Sequence, residues 1–191
     1  MMKRLLVAAS LLLMMSPSFS SGREPGLAAQ ESTKRKLELH FKAPAEWIVE
    51  KPSSNMRVAE YKLPKAETDS EDGSLVLYFF GTNQGGSVQA NLDRWISQIQ
   101  QADGSASKAK AKLETFTVNN LKISTIDLSG TYVAETAPGS GVRHNKPDYR
   151  LRAAIIETPK GAYYVKLFGP TKTLTRWDKS FNDYLQSFEF K

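Results

Sequence analysis

Two histidines and no cysteine leave this chain few groups for nucleophilic or metal chemistry. A weak nucleophile needs a base to activate it and a third group to orient that base. His40 alternates with Leu39 and Phe41, which places it on the polar face of an extended segment, and His144 falls in the Pro/Gly loop Ala137 to Asp148. No Gly-x-Ser-x-Gly elbow occurs, so a Ser-His-Asp set would have to be assembled from scattered residues. The histidines are far apart and no His-Glu-x-x-His motif joins them, so zinc has no local support. This reading assigns no catalytic residue, no metal ligand and no cofactor.

Four other groupings carry charge or special backbone. Glu67, Asp69, Glu71 and Asp72 offer oxygens to calcium, but the ligand order and mid-loop glycine of an EF-hand are missing. A solvated acidic loop is the expectation, and a weak divalent-ion site the alternative. Gly81-Thr82-Asn83-Gln84-Gly85-Gly86-Ser87 joins a strand to a helix, where backbone amides can attract an anion. It lacks the P-loop lysine and reads as a tight turn. Lys108, Lys110 and Lys112 alternate with alanines and would share one face if extended, as a patch for anionic glycans or lipid headgroups. Thr136 to Asp148 exceeds an ordinary hairpin connection, and Arg143, His144 and Lys146 give it a basic tip suited to an acidic partner. These three are the candidate partner contacts.

The elements that must position these groups follow from apolar patterning. Strict alternation from Leu37 to Lys42 predicts a strand with one buried face, stopped by Pro44, with Trp47 packing back on the sheet. Met56 to Leu63 predicts a second strand. Leu75 to Phe80, Ala153 to Ile156 and Tyr163 to Phe168 are continuous or nearly continuous apolar runs, which predicts central strands buried on both faces. Asn119-Asn120 and Thr158-Pro159-Lys160-Gly161 are hairpin turns. From Leu121 to Val133 the apolar parity changes, which predicts a bulge near Thr125. Val88, Leu92, Trp95, Ile96 and Ile99 predict a helix capped by Ser87 and stopped by Gly104. Leu174 to Phe188 predicts a second.

Residues 1–20 give a destination. Lys3 and Arg4, the apolar run Leu5 to Met15 and Ser18-Phe19-Ser20 form a secretory signal peptide pattern, too short to span a bilayer. Residues 21–36 read as a flexible leader and 37–191 as one domain. Export, to a periplasm or the outside, is expected, with no transmembrane segment in the mature chain. Removing Lys3 and Arg4 from the 26 basic residues leaves 24 against 20 acidic ones. That small excess argues against nucleic acid and toward anionic envelope polymers. With no cysteine, stability must come from the core rather than disulfides.

The Pro44 to Trp47 step, the Gly-Gly-led helix holding Asn91-Leu92-Asp93-Arg94-Trp95, and the terminal amphipathic helix together resemble small exported bacterial proteins of unknown function similar to the PsbP-like α/β/α sandwich superfamily. The resemblance spans Leu37 to about Phe190. It implies an α+β fold, an antiparallel sheet flanked by two main amphipathic helices. Because that superfamily includes extrinsic photosystem II subunits and a nuclear-transport factor that binds a small GTPase, it also implies assembly or binding rather than catalysis. No catalytic residue carries over. The functional expectation is a non-catalytic binding or assembly module of the cell envelope, with an unknown envelope protein or anionic polymer as partner. An envelope hydrolase or a weak divalent-ion or anion binder is the alternative, and a deep polar pocket holding His144 and a carboxylate would favour the hydrolase.

Overall fold

Strands dominate because the long apolar runs carry side chains to both faces of one sheet. The computed structural model describes residues 38–137 and 139–191. The signal peptide and leader expectations lie outside the described residues. In chain order the elements are β1 (Leu39–His40), β2 (Ile48–Glu50), β3 (Arg57–Leu63), β4 (Gly73–Phe79), α1 (Val88–Ile96), β5 (Ile99–Gln100) and α2 (Ser107–Lys110). Then come β6 (Lys112–Val118), β7 (Leu121–Tyr132), β8 (Lys146–Thr158), β9 (Gly161–Pro170), α3 (Thr171–Arg176), α4 (Asp178–Gln186) and β10 (Glu189–Phe190). Eight strands form one antiparallel sheet in the order β2-β3-β4-β9-β8-β7-β5, with β6 also paired to β7. β1 and β10 form a separate antiparallel pair. No helix among the described residues is long and apolar enough to cross a membrane.

The expected sheet flanked by two main amphipathic helices, as in an α/β/α sandwich, is corrected: the chain is mostly antiparallel β-structure with short helices. Apolar spacing overstated both helices. α1 ends at Ile96, because Ile99 and Gln100 pair with Tyr132 and Thr131 of β7. Gly104 therefore stops nothing. The second stripe breaks at Trp177, whose φ of −99° and ψ of 10° separate α3 from α4. Ser87 does cap α1, its Oγ accepting from Ala90 N at 3.2 Å.

The central strands are those the apolar runs mark. On one face, Leu75, Leu77, Val165, Leu167, Ala154 and Ile156 pack against Leu174, Phe181, Tyr184 and Leu185 of α3 and α4. On the other, Tyr164, Leu151, Ala153, Ile155, Ile126 and Leu128 pack against Leu92, Trp95 and Ile96 of α1. This two-sided burial also explains the parity change in β7. Ile123 faces α4 and Ile126 faces α1, while pairing with β8 continues unbroken from Lys122 to Gly130. The expected bulge at Thr125 is absent; the register shifts between Gly130 and Tyr132 instead. Asn119 and Asn120 take φ of 48° and 65°, the left-handed pair that a two-residue hairpin needs.

Arg150 and Arg152 lie under α4, where the buried apolar layer meets its charged rim. Arg150 binds Asp127 through Nε at 2.7 Å and Asp178 through Nη1, and Arg152 Nη1 reaches Asp178 Oδ1 at 2.8 Å. The Arg152 guanidinium lies 4.5 Å from the Phe181 ring centroid. Two carboxylates thus hold two cations, and the Asp127 and Asp178 hydrogen bonds push the Arg150 pKa up.

Candidate functional site

Alternation along β4 and β9 turns Ser74, Val76 and Tyr78 to the same side as Tyr164, Lys166 and Phe168. α1 covers only part of this face. Beyond it Ala134 to Thr136 and Val142 to His144 pair as a short two-stranded ribbon, with Glu135 bridged to Arg143 and His144 N donating to Ala134 O at 2.9 Å. Between helix, ribbon and sheet lies a cavity of about 580 Å³. Tyr78, Phe80, Trp95, Tyr132, Tyr164 and Phe168 contribute aromatic surface to it. Its cationic lining is Arg57, Arg94, Arg143 and Lys166, with the His144 imidazole beside them, against one carboxylate, Glu135.

The cations differ in how they are held. Arg57 is neutralised, its Nη1 lying 2.8 Å from Glu60 Oε2. Burial alone would raise the Glu60 pKa, but hydrogen bonds from Ser53 and Arg57 outweigh it and the pKa is lowered. Arg94 donates to Asn91 Oδ1 at 2.5 Å. Buried Asn91 is itself fixed, its Nδ2 donating to Gly85 O at 2.7 Å and Ser87 O at 2.9 Å. Lys166 Nζ donates to Tyr132 Oη at 3.0 Å and lies 5.2 Å from the ring centroids of both Tyr132 and Phe168. Its cross-strand neighbours are Val76 and Ala153, so the sheet gives it no carboxylate. Burial, with Arg94 adding to it, pushes the Lys166 pKa down to about 8. Arg94, Arg143 and Lys166 form no ion pair among the described residues.

The residues singled out by sequence separate. Arg143 and His144 line the cavity, and the His144 ring lies 5.4 Å from that of Tyr132. Lys146 is not at a loop tip: it opens β8 and binds Glu71 at 2.6 Å. The expected single basic tip of Arg143, His144 and Lys146 is thus divided between the cavity wall and an ion pair. Three of the four carboxylates of the acidic loop are engaged by neighbouring segments. Asp69 Oδ2 accepts from Thr173 N and Oγ1, Glu71 takes Lys146, and Asp72 Oδ1 accepts from Lys65 N. No group of three or more potential metal ligands occurs among the described residues.

The lysine patch does not form as expected. Lys108 and Lys110 lie in α2, where exposed Asp93 and Asp103 approach them at 3.6 and 4.0 Å, and Lys112 starts β6. The glycine turn directs carbonyls inward, Gly85 O to Asn91 and Gly86 O to the Tyr164 hydroxyl at 3.3 Å. It anchors α1 rather than cradling an anion. A Cβ at Gly85 would lie 2.5 Å from Tyr164 Oη at a φ of +91°. Gly85→Ala should therefore cost at least about 2 kcal/mol in urea unfolding, combining a clash with left-handed backbone strain.

Glu135 and His144 do share the cavity, the composition that would favour a hydrolase. Their geometry does not form a catalytic chain. Glu135 Oε2 accepts from Gly139 N at 2.8 Å, and the Thr136 hydroxyl donates to Val142 O at 3.2 Å. The His144 ring makes no hydrogen bond to a hydroxyl or a carboxylate among the described residues, and the Glu71 carboxylate near it is hydrogen-bonded by Lys146 instead.

Sequence reading missed Arg94, Arg57 and Lys166 as site residues. The clearest available signal was Lys166 itself, one charge inside the apolar run Tyr163 to Phe168.

No family model matches the chain, and no curated protein matches it. Among solved structures, it is similar to PA94 from Pseudomonas aeruginosa, a protein of unknown function, at 14% identity and a TM-score of 0.45, over 74% of this chain and 95% of that one. A likeness that distant carries no argument about function.

Proposed function

We propose that this is an exported, non-catalytic binding protein of the cell envelope whose ligand site is the cationic cavity beside α1. The reading rests on one observation: Arg94, Arg143 and Lys166 converge on a space of about 580 Å³ without ion-pair partners among the described residues, over an aromatic floor. A ligand of matching chemistry carries a carboxylate or phosphate and an apolar, preferably flat, body. Its acid would gain charge-assisted hydrogen bonds from the two guanidinium groups, and its body would lie against Tyr78, Trp95 and Phe168. Export is supported by the pattern of residues 1–20.

The test is thermal unfolding of residues 21–191 in the presence of aromatic carboxylates and phosphate monoesters at millimolar concentration. At least one should raise the melting temperature saturably. Arg94→Ala with Arg143→Ala should weaken that ligand by roughly 10- to 150-fold per lost hydrogen bond, from about 1.5 to 3 kcal/mol each. An undiminished shift in the double variant would move the site elsewhere.

A further inference from the structure

We infer that Lys166 is a reactive amine that condenses with the carbonyl group of an acidic aldehyde or keto acid held in this cavity. The inference rests on the binding site proposed above and adds a covalent step to it. Surface lysines remain protonated and solvated, which leaves their lone pair unavailable. Lys166 is placed differently: its cross-strand partners are Val76 and Ala153, its Nζ lies against two aromatic rings, and it donates to the Tyr132 phenol oxygen. Desolvation of this kind favours the neutral amine.

The charged and titratable groups around it come from every packed element. They are Arg94 from α1, Arg57 from β3, Tyr78 from β4, Tyr132 from β7, Tyr164 from β9, and Glu135, Arg143 and His144 from the ribbon. Of these, Arg94 adds its charge to burial in favouring a neutral Lys166, and Arg94 and Arg143 are placed to pair with the acid of the ligand. Arg94 therefore both prepares the amine and helps to orient its carbonyl partner.

The chemistry balances without a further reagent. The neutral Nζ lone pair attacks the carbonyl carbon and forms the C–N bond, while the C=O π pair moves to oxygen, which takes a proton. Loss of that oxygen as water, with both protons that leave nitrogen, gives the imine. The Tyr132 phenol, whose pKa burial raises to about 12, stays protonated at neutral pH. Hydrogen-bonded to Nζ at 3.0 Å, it is the group placed to pass a proton between nitrogen and the departing oxygen.

Pyridoxal 5′-phosphate is a suitable probe, because it combines an aldehyde, a flat ring and a phosphate. Residues 21–191 would be incubated with it at pH 7.5, reduced with borohydride and mapped by peptide mass spectrometry. With a pKa of about 8, roughly a quarter of Lys166 is neutral at that pH, against about a thousandth of an ordinary lysine. Allowing for the lower nucleophilicity of a less basic amine, Lys166 should label about tenfold faster than any other lysine. Lys166→Arg keeps the charge and should remove this fast-labelled site, with circular dichroism confirming the fold. Pyridoxine 5′-phosphate, which lacks the aldehyde, separates the two claims. Saturable binding of that analogue with adducts scattered over exposed lysines overturns the covalent step and leaves the binding site standing. Scattered adducts with no saturable binding of either compound overturn both.

Discussion

Between pH 10 and 12 this protein should unfold steeply, and the tyrosines that burial perturbs should ionise only as it does. Burial raises the pKa of Tyr61, Tyr78, Tyr132, Tyr149, Tyr164 and Tyr184, with Tyr132 reaching about 12. The folded chain therefore holds phenol protons that the unfolded chain releases near pH 10. A raised folded pKa contributes stability that is complete below the unfolded value and is lost as pH climbs toward the folded one. Tyr132, Tyr149 and Tyr184 carry the large shifts, and each removes up to about 1.4 kcal/mol per pH unit above pH 10, so the three together remove on the order of 4 kcal/mol per unit. Two units of that slope consume on the order of 8 kcal/mol of the roughly 5 to 15 kcal/mol that a domain holds. Lys166 works in the opposite direction. Its lowered pKa means a penalty below about pH 8 that is relieved as pH rises toward the unfolded lysine value, so it softens the onset only. Near-ultraviolet circular dichroism and phenolate absorbance, recorded together, check this. Phenols titrating near pH 10 in a still-folded chain would show that these rings are solvated.

Trp95→Ala should lower stability by about 3 to 5 kcal/mol, the cost of truncating a fully packed aromatic residue. Trp95 is 3% exposed and packs with Leu92, Ile96 and Ile99 against the α1-facing side of the sheet. Its substitution leaves a void that α1, pinned at one end by Ser87 and at the other by the β5–β7 pairing, cannot close by sliding. The midpoint of urea unfolding should fall at unchanged slope. Because Trp95 also lines the cavity, ligand-induced stabilisation should weaken in the same variant. A midpoint that barely moves would mean the indole is not part of the core.

The strands were legible because burial on both faces leaves continuous apolar runs, as at Leu75 to Phe80 and Ala153 to Ile156. The same physics misled at β7. A change of apolar parity has two sources, a bulge or a switch from one buried face to the other, and sequence alone does not separate them. Helix lengths were overstated for a related reason: Ile99 fits a helical spacing and a strand equally well, and its pairing with Tyr132 decides for the strand. The fold class failed on this point, since two shortened helices leave a predominantly β architecture.

Of the site, only Arg143 and His144 were visible beforehand, and for another reason, as part of a basic loop tip. The cavity draws Arg57 from β3, Arg94 from α1, Arg143 from the ribbon and Lys166 from β9. No local spacing connects these four. Sheet order places them together, and β4 and β9, which bring them close, are neighbours despite the long intervening chain. Lys146 shows the converse, a residue near in sequence to Arg143 that pairing with Glu71 takes elsewhere.

Mapping amide and indole shifts of the isotopically labelled chain during titration with a set of aromatic carboxylates and phosphate monoesters tests the central claim most directly. Saturable shifts are expected for at least one compound, concentrated at Arg94, Trp95, Tyr132, Arg143, His144 and Lys166. Shifts that are absent for the whole set, or that fall instead on exposed lysines such as Lys108 and Lys179, would contradict it.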